Sequence, residues 1–422
     1  MTYPPLPLAE RITVHGTPVS VAAPPDGLLT LEQVGLLSVP GVRGQVTYRA
    51  PGTLFETRAT VTPGGDYLLM FPTDSADHDP AAGGCHYGRA GRKINDLAAF
   101  RSADGGESWH GPTIAFAIDY NQNGFVPLIP RGGSRIYAFG TQPIAGRRTC
   151  ERGLQENAPI GYRWSDDDGH TWSDVRLIEP DNDPGFTGMS VMRMCETEAG
   201  TWLIGSHEAD WSYQPLLTRQ YLLRSEDRGA SWQLLPDVRH GGWFARCFGR
   251  MDEGRPLDLG AGEILFMARS PEGHLWQARS MDDGRNWSYP EPTPLVHPDA
   301  PPMLFQLSDG VTLAAFHHNR HHDFDYTGLS GSKPELMADR SELWVALSSD
   351  GGRSWSEPRF LLANALEPSF DTPFRNHQCS YMDLFIDRGM VHMFIPHRWQ
   401  QVTYLRFPET LLPELPTASV LR

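Results

Sequence analysis

A short motif recurs five times in this 422-residue chain and constrains its fold more than any other feature of the sequence. The motif is Ser-x-Asp-x-Gly-x-x-Trp, and its successive tryptophans are 55 to 68 residues apart. Its five copies occupy residues 102–109, 165–172, 225–232, 280–287 and 348–355. A fixed motif at near-constant spacing indicates a structure assembled from repeated units.

The residue types of the motif suit a tight turn beside a sheet. The aspartate accepts hydrogen bonds from the turn amides, the glycine takes a backbone conformation closed to other residues, and the tryptophan covers apolar area. The flanking segments read as strands, for example 66–71 and 96–101 before the first copy. A period of about 60 residues with about four short strands predicts one blade of a β-propeller, in which radial repetition protects the sheet edges.

This motif resembles the Asp-box, or bacterial neuraminidase repeat, of the sialidase-like propellers, and the resemblance covers residues from about 45 to 408. It implies an all-β chain that forms a single β-propeller domain over residues 1–422, with the Asp-boxes on the turns between the third and fourth strands of each blade. Because many chemistries use this scaffold, the resemblance specifies the fold more closely than the activity.

The number of blades depends on how the two ends of the chain are used. Five boxed blades are expected at about 55–115, 120–178, 185–238, 243–295 and 300–362, and a sixth without a box from strands at 380–386, 390–395 and 402–407. The N-terminal strands at 10–50 close the ring with the C-terminal blade 370–408. They either complete the sixth blade or form a seventh with the C-terminal tail. We expect seven blades, with six as the alternative.

Composition excludes several classes of function. Lys and Arg total 36 against 51 Asp and Glu, so the net charge of −15 argues against nucleic-acid binding. No apolar run reaches the roughly 18 residues of a membrane span. The start of the sequence lacks a secretion signal, so we expect a cytoplasmic protein, or a secreted or periplasmic one if a leader precedes this sequence. The five scattered cysteines include no CxxC pair, which argues against a zinc ribbon or a disulfide framework.

The repeat also predicts which face of the propeller carries function. Asp-box turns mark one face, so a binding pocket should be fed by the loops of the other face, which join the second strand to the third and the fourth strand to the next blade. Those loops hold His78, His86, His207, His240, His274, His297, His317, His318, His321, His322, His377 and His397, twelve of the 16 histidines. They also hold many arginines, and basic loops on an acidic body favour an anionic, carboxylate-bearing ligand.

Candidate site residues come from these loops. We expect His86 to act as the base or acid, with Tyr87 and Arg246 as further catalytic residues, because an imidazole of near-neutral pKa suits proton transfer. The predicted substrate-binding residues are Arg89, Arg92, Asn121, Asn123, His207, His240, His318, Arg320, His377 and Arg398. No cofactor is expected, although the histidines of 317–323 leave a divalent cation open.

The sialidase resemblance implies three arginines on the substrate carboxylate, a Tyr–Glu nucleophile pair, an aspartate acid/base and an Arg-Ile-Pro motif near the first blade. The nearest match here is Tyr48-Arg49-Ala50-Pro51, which lacks the isoleucine, and the sequence does not identify the paired Glu and Tyr. A hydrolase of this type should depend on acidic residues of the same loops, such as Asp74, Asp77, Glu208 or Asp210.

A closer resemblance is to propeller lyases that release rhamnose from rhamnosyl-glucuronate ends of polysaccharides, and it is carried by residues 121–130, 136–143 and 394–399. It implies β-elimination in a His-centred pocket that binds the end of an anionic oligosaccharide or polysaccharide. We therefore expect a lyase. A sialidase-type glycoside hydrolase and a non-catalytic glycan-binding propeller are the alternatives.

Overall fold

The computed structural model describes residues 6–50, 54–73, 95–118, 124–142, 157–210, 212–213, 216–245, 249–320, 339–367 and 378–421. Within these residues, antiparallel strands form a two-stranded hairpin and six larger sheets. The six larger sheets follow one another along the chain, each ordered from an inner strand outward. The inner strands of neighbouring sheets contact one another around a common centre. The architecture is therefore a β-propeller with the inner strands nearest its axis.

The first three blades are built from consecutive strands. Blade 1 consists of β6 (Arg58–Val61), β7 (Tyr67–Thr73), β8 (Asn95–Ser102) and β9 (His110–Ile118). Blade 2 consists of β10 (Val126–Leu128), β11 (Ile136–Thr141), β12 (Ile160–Ser165) and β13 (Arg176–Leu177). Blade 3 consists of β14 (Ser190–Glu196), β15 (Trp202–Asp210), β16 (Leu217–Ser225) and β17 (Gln233–Leu235).

The other three blades complete the ring, and the last two recruit N-terminal strands. Blade 4 consists of β18 (Asp252–Gly260), β19 (Glu263–Arg269), β20 (His274–Ser280) and β21 (Glu291–Val296). Blade 5 consists of β22 (Met303–Gln306), β23 (Leu313–His317), β24 (Glu342–Ser348) and β25 (Arg359–Asn364), extended by β4 (Leu36–Ser38) and β3 (Leu29–Leu31). Blade 6 consists of β26 (Asp383–Asp387), β27 (Met390–His397), β28 (Gln401–Pro408) and β5 (Arg43–Arg49).

The expectation of seven blades is wrong, because the described residues form six. A seventh blade would need its own inner strand, whereas the N-terminal strands add to the outer edges of existing sheets. β5 pairs with β28, and β4 pairs with β25. The remaining N-terminal strands, β1 (Arg11–Val14) and β2 (Thr17–Ser20), form a separate hairpin. Short 3-10 helices cover Val238–His240 and Glu409–Glu414. No helix in the described part of the chain is long and apolar enough to cross a membrane.

The Asp-boxes lie in the turns between the third and fourth strands of blades 1 to 5. In blade 3, the Ser225 hydroxyl donates to Asp227 Oδ1 at 2.8 Å and accepts from the Gly229 amide at 2.8 Å. Asp227 also accepts from the Ser231 amide at 2.8 Å. Gly229 has φ of +90°, which glycine adopts without steric cost. The box is thus a self-contained hydrogen-bonded turn.

Burial is greatest in the strands at the middle of each sheet and least at the exposed outer edge, which explains the strand sequences. β7 and β23 are buried along their whole length because their sheets are covered by a blade on each side. The outermost strand β9 is exposed over its first half. Apolar clusters fill the spaces between blades: the box residue Trp109 packs against Phe394 and Tyr404 of blade 6, with ring centroids 5.3 Å apart in both cases.

Candidate active site

A tyrosine and a glutamate from different blades meet at the axis, on the face opposite the Asp-boxes. Tyr381 lies two residues before inner strand β26, and Glu253 is the second residue of inner strand β18. The Tyr381 hydroxyl donates to Glu253 Oε1 at 2.6 Å. This is a short, charge-assisted hydrogen bond from a phenol to a carboxylate. We refer to these two residues as the axial pair.

Both members of the axial pair have unusual backbone conformations. Tyr381 has φ of +59° and Glu253 has φ of +54°, the left-handed region that is strained for residues with large side chains. The Glu253 amide donates to His207 Nδ1 at 3.3 Å, and Ser190 Oγ lies 3.2 Å from the same nitrogen. Burial lowers the pKa of His207, so this imidazole is neutral and acts as an acceptor beneath the glutamate.

Arg269 joins the axial pair to a buried ionic network. Its Nη1 donates to Glu253 Oε2 at 2.6 Å and to Tyr381 Oη at 3.2 Å, and its Nε donates to Asp299 Oδ1 at 2.6 Å. Arg250 bridges Asp252 and Asp299 at 2.8 and 3.0 Å. Burial alone would lower the pKa of Arg269, but Asp299 and Glu253 raise it well above its usual value. The guanidinium is therefore fixed in position and permanently charged.

Arg340 covers the other side of the tyrosine. Its guanidinium carbon lies 5.6 Å from the centre of the Tyr381 ring, and its Nη2 donates to the Asp299 carbonyl at 2.7 Å. Arg340 is almost fully buried, and its hydrogen bonds to Gln378 and Ser380 are to uncharged groups. Arg340 is therefore a cation close to the axial pair, and the groups to which Arg340 donates hydrogen bonds are neutral.

Apolar surroundings keep the phenol protonated. Tyr381 packs against the cluster of Phe55 and Trp399. Burial raises the pKa of Tyr381, and the charge of Glu253 raises it further. The tyrosine oxygen is thus neutral at rest and can become nucleophilic as its proton passes to Glu253. The site therefore contains a phenol, a carboxylate that can act as a base, and two guanidiniums.

A second group of charged side chains comes from the inner strands and also lies on the axis. We call Glu56, Arg58, Arg193, Arg255 and Asp383 the axial cluster. Arg193 Nη1 donates to Asp383 Oδ1 at 2.7 Å, which links blade 3 to blade 6 directly across the ring. Glu56 Oε2 accepts from Arg58 Nη2 at 2.9 Å and from the Gly124 amide at 2.8 Å. Burial has the largest effect on the pKa of Glu56. The charge of Arg58 lowers this pKa, but burial together with the charge of Glu253 outweighs it and raises the pKa to about 7.

Five of the sequence-predicted residues lie in the described part of the chain, and the structure brings one of them to the axial pair. His207 is the buried support of Glu253 described above. His318 is buried and stacks on His297 with ring centroids 5.0 Å apart. Arg320 pairs with Glu342. His240 lies in a 3-10 helix, and its Nδ1 is 3.2 Å from the Gly242 carbonyl. Arg398 is buried, and its backbone amide donates to the Gln378 carbonyl at 2.8 Å.

The other predicted site residues lie outside the described residues. They are His86, Tyr87, Arg89, Arg92, Asn121, Asn123, Arg246 and His377, together with the acidic alternatives Asp74 and Asp77. Of the remaining acidic alternatives, Glu208 lies on β15, where burial raises its pKa, and Asp210 accepts from the Ser212 amide at 3.0 Å. Arg49 ends the outermost strand of blade 6, where its Nη2 donates to Gln401 Oε1 at 3.0 Å.

Sequence reasoning missed the axial pair and both of its arginines. Tyr381 comes one residue after a loop predicted to carry function, and Glu253 is the second residue of an inner strand. Arg269, the last residue of β19, and Arg340, two residues before β24, were not singled out among the many arginines of the predicted functional face. The sialidase resemblance implied a Tyr–Glu pair, but 128 residues separate these two. Only the closure of the ring brings them together.

No group of three or more His, Cys, Asp or Glu side chains within the described ranges is arranged to hold a metal ion. The acidic residues nearest the axial pair, Asp252 and Asp299, are already neutralised by Arg250 and Arg269.

Solved structures with the same fold include several sialidases. The chain is similar to the NanB sialidase from Streptococcus pneumoniae, with a TM-score of 0.56 and 11% identity over 87% of this chain and 71% of that one. It is also similar to a leech intramolecular trans-sialidase, with a TM-score of 0.56 and 13% identity over 88% and 71%. A protein of unknown function from Dyadobacter fermentans gives a TM-score of 0.57 and 15% identity over 88% and 100%. At these identities the likeness establishes the fold alone.

Family membership rests on the sequence match. Among curated proteins none matches this sequence. The family described as BNR repeat-like domain matches residues 149–393, which is more than half of the chain and includes four of the five Asp-boxes. The chain therefore belongs to the BNR repeat-like domain family.

Proposed function

We propose that this protein is a glycoside hydrolase that removes a carboxylate-bearing sugar from the end of a glycan, with Tyr381 as its nucleophile. The observation that carries the proposal is the 2.6 Å hydrogen bond between the Tyr381 hydroxyl and Glu253. The carboxylate is placed to accept the phenolic proton as the oxygen attacks, which is the geometry of an activated nucleophile.

A tyrosine nucleophile suits an anionic sugar better than a carboxylate nucleophile would. A negatively charged side chain would repel the substrate carboxylate as the two approached the same carbon. Tyr381 is neutral until Glu253 takes its proton, so that repulsion is avoided. The negative charge of Glu253 is itself compensated by Arg269 at 2.6 Å.

The two arginines support recognition of an acidic sugar. Arg269 and Arg340 both lie beside Tyr381, and guanidiniums pair with carboxylates through charge-assisted hydrogen bonds. The hydrogen-bonding partners of Arg340 are uncharged, so its charge is the one more available to a substrate. This supports an anionic glycone, in agreement with the basic loops that the sequence places on this face.

The reaction would proceed in two steps. The Tyr381 oxygen bonds to the anomeric carbon while its proton moves to Glu253, and the glycosidic oxygen leaves with a proton from an acid. Water then attacks the anomeric carbon and gives a proton to the conjugate base of that acid, while the tyrosyl–sugar bond breaks and Tyr381 recovers its proton from Glu253. The configuration of the anomeric carbon is retained. Asp74 and Asp77, which lie outside the described residues, are the acidic residues of the adjacent loop that we assign as candidates for the acid.

A lyase acting on a rhamnosyl-glucuronate linkage would use some of the same groups. Arginines would stabilise the enolate-like carboxylate, and a tyrosine can donate a proton to the departing oxygen. Its expected base, His86, lies outside the described residues. The direct contact of Glu253 with the tyrosine hydroxyl favours the hydrolase, because a carboxylate that accepts the phenolic proton suits a nucleophile and opposes the role of acid that the lyase would give this tyrosine.

The two reactions leave different products. The protein is incubated with sialyl-lactose and with a rhamnosyl-glucuronate oligosaccharide, and released sugar and ultraviolet absorbance are followed. A saturated acidic sugar released with retained configuration supports the hydrolase. Rhamnose released together with absorbance from a new C4=C5 bond supports the lyase. Binding of either oligosaccharide without turnover supports a glycan-binding propeller, and all of these outcomes except the first contradict the proposal.

A further inference from the structure

The axial cluster contains a buried cation that has no hydrogen-bonding partner among the described residues. Arg255 lies on inner strand β18 and is 1% exposed. Its Nε and Nη2 are fully buried and form no hydrogen bond within the described part of the chain. Leaving buried charged donors unsatisfied costs several kcal/mol, so such groups are normally paired with an anion.

The neighbouring acidic groups are engaged elsewhere. Asp383 accepts from Arg193 at 2.7 Å and from the Ala59 amide at 3.0 Å. Glu56 accepts from Arg58 and from Gly124. The Nε of Arg58, which is also 1% exposed, has no partner within the described residues either. Two arginines therefore face the axis with unsatisfied donors.

The axial cluster as a whole carries an excess of positive charge. Three guanidiniums face two carboxylates, which leaves one positive charge when Glu56 is ionised and two when it is protonated. Burial, and then the charges of Arg58 and Arg193, lower the pKa of Arg255 to about 9, so it remains a cation at neutral pH. Uncompensated charge is costly where the side chain that carries it is buried, as those of Arg58 and Arg255 are.

We propose that the axial cluster binds a small inorganic anion between Arg255 and Arg58. We assign a monatomic halide, because both arginines are 1% exposed and a halide is smaller than the oxyanions that guanidiniums also bind. The proposed site contains neither residue of the axial pair, and it does not depend on the proposed hydrolase activity. Its function is to neutralise the centre of the ring where the inner strands of blades 1 and 4 face each other.

The test compares the thermal midpoint of the full-length protein in sodium chloride and in sodium gluconate at equal ionic strength. We expect the wild-type midpoint to rise with chloride and to saturate, by about 1–3 °C, while gluconate leaves it unchanged. The Arg255→Met variant should lose this dependence. The Arg135→Met variant, which removes a surface ion pair with Asp166, should keep it.

Two results would overturn the proposal: equal wild-type midpoints in the two salts, or a chloride effect that persists in Arg255→Met. If Arg255→Met does not fold, wild-type crystals soaked in sodium bromide decide the question. An anomalous bromide peak in contact with the Arg255 guanidinium supports the site, and its absence contradicts it. Neither readout involves turnover, so failure of the anion site can be told apart from failure of the proposed hydrolase.

Discussion

The Tyr381 hydroxyl lies 2.6 Å from Glu253 Oε1 at the axis, although 128 residues separate the two in the chain. Both residues have left-handed backbone conformations. Such a conformation costs on the order of 1–3 kcal/mol for a non-glycine residue. The surrounding contacts hold both residues in it: the Glu253 amide donates to His207, and the Tyr381 ring packs on Phe55 and Trp399. Strain at two partnered polar side chains is characteristic of a functional site.

Replacing Tyr381 by Phe should abolish turnover without unfolding the protein. The change removes the oxygen that attacks and leaves the ring packing in place, so kcat should fall by at least about 10³-fold. Steady-state kinetics and a thermal melt measure the two effects. Tyr213→Phe is the control, because Tyr213 is 54% exposed and its loss should change neither value. Activity of Tyr381→Phe close to that of the wild type would remove the tyrosine from the mechanism.

Arg340→Met should weaken the use of acidic substrates selectively. Loss of a buried guanidinium that pairs with a substrate carboxylate should lower kcat/KM by about 10²- to 10³-fold. The same substrate with its carboxylate converted to an amide should be used poorly by the wild type and be little affected by the substitution. Kinetics of both proteins on both substrates form the test. Equal losses on the acid and the amide would show that Arg340 has only a structural role.

Ser225→Ala should destabilise blade 3 and leave kcat unchanged. The Gly229 amide, which donates to Ser225 Oγ at 2.8 Å, would lose its buried acceptor, at a cost of about 1–3 kcal/mol. Urea unfolding measures this loss. The matched variant is Ser231→Ala, whose hydroxyl donates to the same aspartate from the exposed side of the turn and should cost less. A lowered kcat in Ser225→Ala would contradict the assignment of the box face as structural.

Glu342 should make the fold less stable as the pH rises through neutrality. It accepts from the His15 amide at 2.7 Å and from Trp344 Nε1 at 2.8 Å, and it pairs with Arg320. Burial raises the pKa of Glu342 from 4.5 to about 7, against the opposing effect of Arg320. The native state therefore binds more protons than the unfolded state, so this stabilisation is complete below pH 4.5 and is lost as the pH rises through about 7.

The Glu342→Gln variant tests this pH dependence. It cannot ionise, so its free energy of unfolding relative to the wild type should increase between pH 4.5 and 8, by on the order of 2 kcal/mol. Urea unfolding at several pH values in that range measures the difference. A difference that is the same at pH 5 and pH 8 would show that Glu342 does not titrate in this window.

The fold was predictable from one motif, but its closure was not. The boxes at 102–109 to 348–355 fix five turns and hence five blades, because their residue types are determined by the turn itself. The sixth blade lacks a box, and β5 reads as an ordinary strand whether it ends blade 6 or begins another. Its pairing with β28 is set by contacts between the two ends of the chain, which no local pattern records.

The face of the site was predictable, and its central residues were not. The position of the boxes places function at the opposite ends of the strands, where Glu253, Arg269, Arg340 and Tyr381 lie. The sequence analysis predicted function in the loops from their histidines, because imidazoles are rare and titrate near neutrality. His207 and His318 are both buried, and burial lowers the pKa of each. A glutamate at a strand start carries no such signal until its partner is known.

Trapping the covalent intermediate tests the central claim most directly. The protein is incubated with fluorinated, carboxylate-bearing sugar fluorides, namely 2,3-difluorosialic acid and 2-deoxy-2-fluoroglucuronosyl fluoride, and its intact mass and peptide masses are measured. We expect one reagent to add a single glycosyl unit to the wild type, located on the peptide that contains Tyr381 and absent from Tyr381→Phe. An adduct on another residue, or none with either reagent, would contradict the assignment of Tyr381 as the nucleophile.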